Sequence, residues 1–141
     1  MVLSRVVRGA LAGLVATAAM SVVMVASERA GVMLGQPPRK IVDRLIPSLG
    51  HDGTDVVALV SHGVYGAAAG SVLAPLIGRT RAAPLLGAVS GLALWALGYE
   101  GWVPAMRVLP PAHRDQPGRV ATMIAAHLVY GAVLGRLLHR G

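Results

Sequence analysis

Cysteine and phenylalanine are missing from this sequence, lysine occurs once, and charged residues of all kinds make up only 13% of the chain. Without cysteine there is no disulfide, no thiolate metal site and no thiol nucleophile, and the redox compartment stays open. The thin charge is more telling. Soluble domains carry about 25% charged residues, and 13 Lys and Arg with 6 acids are too few to cover a globule of 141 residues. Enzyme signatures are absent as well: there is no P-loop, dinucleotide fingerprint, G-x-S-x-G elbow or H-E-x-x-H helix. Ser61 beside His62 is not a nucleophile–base pair, because adjacent side chains on a helix diverge. The expectation is a non-enzymatic protein with no predicted cofactor.

What the chain does have is apolar length. Apolar residues make up 55% of it and mean hydropathy is +0.63. The net charge of +7 raises nucleic acid as a partner, but a nucleic-acid module presents a continuous basic face with aromatic platforms. Here the arginines gather at the ends of apolar runs, as interface anchors do. The expected partner is the lipid bilayer, with no nucleic acid.

Crossing about 30 Å of hydrocarbon takes about 20 helical residues. Four runs meet that need: Gly9 to Ser27, Val56 to Gly78, Ala82 to Tyr99, and Val120 to Gly135. The last is the shortest, and snorkelling of Arg136 lets Leu137 and Leu138 extend it. Spans are therefore expected over about 9–28, 56–78, 82–101 and 119–138, an all-α integral membrane four-helix bundle in a single domain. No run alternates with period two, which argues against a membrane β-barrel. The first run is long for a signal peptide and Ala26-Ser27-Glu28 is a poor cleavage site, so its retention is expected.

Four spans put the N-terminus, the loop Gly78 to Arg81 and the C-terminus on one side. That side carries Arg5, Arg8, Arg79, Arg81, Arg136 and Arg140 without an acid; the other holds seven Lys and Arg and all 6 acids. Raw Lys and Arg counts nearly balance, but the arginines of the first side crowd the span ends, where they weigh most. Both termini are expected in the cytoplasm. The outer loops carry Pro37-Pro38 and Pro110-Pro111, expected to force extended backbone. Ile41, Leu45, Ile46 and Leu49 share one helical face and suit either a surface-lying amphipathic stretch or an ordinary connecting turn.

The most specific feature is a duplication. Residues 62–70 and 127–135 both read H-x-V-Y-G-A-x-x-G, in a chain with three Tyr and 5 His. A weaker echo joins Gly9-Ala10-Leu11-Ala12-Gly13-Leu14 to Gly87-Ala88-Val89-Ser90-Gly91-Leu92. Two tandem helix-hairpin repeats are expected, about 1–78 and 79–141, related by an axis along the membrane normal. His62, Gly66 and Gly70 fall at i, i+4 and i+8, as do His127, Gly131 and Gly135, so each set forms one stripe. Gly9, Gly13, Gly66, Gly70, Gly87, Gly91, Gly131 and Gly135 are read as packing devices that let helix backbones approach closely. They also offer a face for self-association or a membrane-protein partner.

Candidate chemistry rests on Glu28, His62, Tyr65, Glu100, His127 and Tyr130. The inward face of the first run leads to Glu28, at the depth of His62, so a buried Glu–His pair is expected there. Glu100 is the counterpart for His127, although 13 residues after Gly87 it falls on the opposite side of an ideal helix unless Gly98, Gly101 and Pro104 re-aim it. Three readings of this set stay open: polar pins between helices, with Trp95, Tyr99 and Trp102 partly at interfaces; a proton or ion pathway; or a His/Glu metal or haem site, for which no H-x-x-x-H or E-x-x-H spacing speaks. Met20 and Met24 are read as apolar filler before soft copper ligands. His51, Asp52 and Asp55 are read as a solvated loop, with Asp55 near a helix N-cap.

The runs Gly9 to Thr17, Gly101-Trp102-Val103-Pro104-Ala105 and Ala126 to Ala132 resemble small bacterial membrane proteins of the YagU-like group, in order over most of the chain. The resemblance implies a multi-pass protein of the bacterial plasma (inner) membrane and supplies no catalytic residue. The expected role is structural, scaffold-like or stress-related. The alternative is a small transporter or channel for protons or metal ions using the buried Glu and His residues.

Overall fold

The computed structural model describes residues 2–140, and among them there is helix but no strand. Helix α1 spans Val2–Arg29, α2 Pro37–Leu45, α3 Gly50–Ile77, α4 Ala83–Trp95, α5 Val103–Ala105 and α6 Pro117–Arg140. A π-helical stretch, Ala96–Trp102, joins α4 to α5, so the backbone stays helical from Ala83 to Ala105. Three helices are long and apolar enough to cross a membrane: Leu3–Arg29, Pro47–Ile77 and Pro117–Arg140.

Several boundaries differ from the sequence reading. α3 begins at Gly50, left-handed at φ 68°, rather than near residue 56, because a helix does not stop where hydrocarbon does. Asp55 accordingly lies inside the helix, paired with Arg39 at 2.8 Å, and is no N-cap. α3 ends at Gly78, also left-handed, whose N–H closes on the Ala74 carbonyl; glycine is the residue that adopts this conformation without strain. Pro37 and Pro38 are not extended but open α2 at its first turn, where proline's missing N–H costs nothing. The following Pro47 bars Ile46 from helical angles, so Ile46 and Leu49 leave the face assigned to them. Pro111, by contrast, is extended as expected.

Packing is organised by pairs. α1 lies along α3, α4 along α6, and α1 against α6, while α3 and α4, although consecutive, scarcely touch. Small residues do the packing: Ala12, Ala16, Ala83 and Ala126 are buried, whereas Leu11, Val22, Leu59, Val64, Leu76, Leu85 and Leu97 point outward. Such an exterior suits hydrocarbon rather than water. At one end Arg8 donates to the Leu138 carbonyl at 3.0 Å, holding the start of α1 beside the end of α6.

Candidate functional site

All eight glycines singled out above are buried, and they meet one another. A Cβ on Gly13 would fall on the Gly66 carbonyl oxygen, and one on Gly70 on the Gly9 carbonyl oxygen. In the other pair, a Cβ on Gly131 would strike Gly87, and one on Gly91 the His127 carbonyl. α1 thus meets α3, and α4 meets α6, at backbone-to-backbone distance. These glycine faces meet one another inside the chain.

The close pairs leave an opening. Because α3 and α4 stand apart, the molecule holds an open-sided cavity of about 220 Å³, backed by Thr17 and Met20 of α1 and Met123 of α6, with Pro37 and Ile41 of α2 at one end. His62, Tyr65, His127 and Tyr130 all line it. So do Trp95, Tyr99 and Trp102. The chain has two Trp, three Tyr and no Phe; every one of these aromatic residues therefore lines this cavity. The sequence signal was the spacing i, i+4, i+7 of Trp95, Tyr99 and Trp102, which places three rings on one side of a helix. Trp95 and Tyr99 stack at 5.9 Å with an interplanar angle of 28°.

The polar atoms of the wall are only partly satisfied. Tyr130 donates to the Gly66 carbonyl at 2.7 Å, joining the second copy of the nine-residue motif to the first. His127 Nδ1 lies 2.8 Å from the Met123 carbonyl. A carbonyl only accepts, so Nδ1 carries the proton and Nε2 keeps its lone pair. His62 makes no hydrogen bond to a described residue and lines the cavity together with His127. The Trp95 indole N–H is buried without a partner among the described residues.

The carboxylates are elsewhere. Glu28 does not pair with His62: it sits in the last turn of α1 and accepts from Gln36 at 2.6 Å. Glu100 is exposed and accepts the Ala112 N–H at 2.8 Å. The π-helical stretch turns its neighbour Tyr99 inward and leaves Glu100 outward, so no Glu100–His127 pair forms. Among the described residues no Asp, Glu, Lys or Arg lines the cavity, and no three His or carboxylate groups converge as a metal site would require.

Sequence reasoning missed a buried cluster at the end where α6 begins. Arg119, assigned to the start of the last span, is 5% exposed and pairs with Asp115 at 2.6 Å. Arg119 also donates to the Leu34 carbonyl at 2.7 Å, and Asp115 accepts the Tyr99 hydroxyl. The signal was present as D-x-x-x-R across the helix start, an i, i+4 pair. The cluster ties α6, the π-helical stretch and the turn after α1 together, and so fixes one wall of the cavity.

No known protein family, curated protein or solved structure matches the chain.

Proposed function

We propose that the chain is an integral protein of the bacterial plasma membrane, crossing the bilayer four times as two tandem hairpins with both ends in the cytoplasm, and that its role is non-enzymatic: structural, scaffold-like or stress-related. The resemblance to YagU-like membrane proteins belongs to this reading. The observation that carries it is the inside-out packing, in which backbones meet at glycines and the large apolar side chains face outward. The helical run from Ala83 to Ala105 supports a fourth crossing, since it is long enough for about 30 Å. The Arg8–Leu138 contact supports termini on one side. The chain lacks cysteine, so single cysteines at Ser4, Thr80, His113 and His139 test the arrangement directly in intact cells. Residues 4, 80 and 139 are expected to be shielded from an impermeant maleimide and residue 113 labelled. Labelling of residue 139 without residue 80 would remove the fourth span.

A second reading, a small transporter or channel for protons or metal ions, draws support from His62, which borders both the cavity and a wider groove between α1 and α3. Proteoliposome flux separates the two: loss of a measurable flux in His62→Ala and His127→Ala with folding intact selects transport, and absence of flux under any gradient removes it.

A further inference from the structure

We propose that the cavity is a binding site for a neutral, lipid-dissolved ring compound with hydrogen-bonding oxygens, of the quinone or quinol class, whose head lies among the aromatic side chains and whose tail leaves between α3 and α4.

Four observations bear on the class of ligand. Size comes first: 220 Å³ is below the roughly 300 Å³ of the smallest pockets for drug-sized molecules, and a head of one or two rings fits within it. The walls come second. Tyr65, Trp95, Tyr99, Trp102 and Tyr130 all line the space, and aromatic faces favour stacking against a flat ring over gripping an acyl chain. Third, the free polar atoms are of both kinds. Nε2 of His127 accepts, and the neutral His62 ring, which makes no hydrogen bond to a described residue, offers both a donor and an acceptor. A head carrying both carbonyl and hydroxyl oxygens satisfies such a wall. Charge comes fourth. Aromatic walls also attract cations, but with no carboxylate among the described residues of the lining, a lipophilic cation lacks a counter-charge. An anionic headgroup likewise lacks a Lys or Arg.

Access is given by the rim. Ser61, Tyr65 and Trp102 line the cavity and are exposed, on the side where α3 and α4 stand apart. A ligand dissolved in the bilayer enters sideways, with its tail remaining in lipid.

The protein supplies its own reporter, because its two Trp both line the site. In nanodiscs, titration with a naphthoquinone bearing one isoprenoid unit is expected to quench tryptophan emission saturably, above the linear quenching of tryptophan octyl ester in empty discs. The corresponding quinol is expected to compete, and tetraphenylphosphonium is not. His127→Leu and His62→Leu each remove one hydrogen-bonding ring and are expected to weaken binding roughly fivefold. Ala69→Leu, which extends a wall residue into the space, is expected to abolish the saturable component with helicity and elution unchanged. Quenching of the wild type that stays linear overturns the proposal, whatever the variants do. So does a midpoint that Ala69→Leu and His127→Leu leave unmoved, or displacement by the cation or by a phospholipid with brominated chains.

Discussion

Replacing Gly131 by alanine tests what holds α4 to α6. The added Cβ would lie 2.6 Å from the Gly87 carbonyl carbon and 2.9 Å from the Ala88 Cα, and closer still to the Gly87 oxygen. Ordinary contact begins near 3.4 Å. Every obstructing atom is backbone, so no rotamer relieves the clash and one helix must back away along the crossing. Overpacking of this kind costs typically 1–3 kcal/mol, and more where nothing can yield. The upper end of that range applies here, because the contact of Gly135 with Ala83 belongs to the same crossing. Alanine's better helix propensity returns about 1 kcal/mol, leaving a net loss of about 2 kcal/mol. Gly101→Ala is the control: its Cβ meets nothing within 4 Å, so it is expected to be neutral or to gain up to about 1 kcal/mol. Unfolding in mixed micelles against increasing dodecyl sulfate, followed by circular dichroism, measures both. Equal midpoints for the two variants would refute the claim that backbone contact at the glycines holds the pair.

Tyr130→Phe removes the hydroxyl that donates to Gly66 and is expected to cost about 1–2 kcal/mol in the same assay; an unchanged midpoint would assign that bond no role in joining α6 to α3. Asp115→Asn strips the counter-charge from Arg119, whose side chain is 6% exposed. A buried pair broken on one side loses about 3–5 kcal/mol, so this variant is expected to be the least stable of the set. Asp115→Asn combined with Arg119→Met is expected to recover part of the loss, and no recovery would mean the charges do not act as a pair. Thr54→Val removes the 2.9 Å bond to Asp43 that fastens α2 to α3; amide exchange is expected to rise in residues 37–45 alone, and unchanged exchange there would show α2 held by its apolar contacts.

The long helices were legible because the demands of the bilayer are written in composition. An uncharged run of about 20 residues has few alternatives to a helix, and a glycine stripe at i, i+4, i+8 has few uses other than close packing. Ends were less legible. Residues 50–55 are polar, yet they continue α3 because Asp55 finds Arg39 and Thr54 finds Asp43, partners contributed by another helix. The Glu–His pairs failed for the same kind of reason. Glu28 has a nearer partner in Gln36, which sits on a turn whose path depends on left-handed Gly31 and Gly35. The cavity itself could not be read, because it is made where two consecutive helices, α3 and α4, scarcely touch.

That sparse contact also explains why two copies of one motif differ. Tyr65 and Tyr130 hold the same position in H-x-V-Y-G-A-x-x-G, yet Tyr130 is 2% exposed and Tyr65 is 47% exposed. A bundle with equal contacts all round would bury both. Here α6 is central, flanked by α1 and α4, whereas α3 has a close long neighbour only in α1. Tyr130 therefore reaches across to the Gly66 carbonyl and closes the back of the cavity. Tyr65, one residue before that carbonyl, has no second helix to cover it and stands at the mouth. Adding bulk at a rim residue such as Ser61 should therefore change entry without loosening the bundle, whereas bulk at Gly66 should loosen the bundle first, since a Cβ there would fall on Thr17.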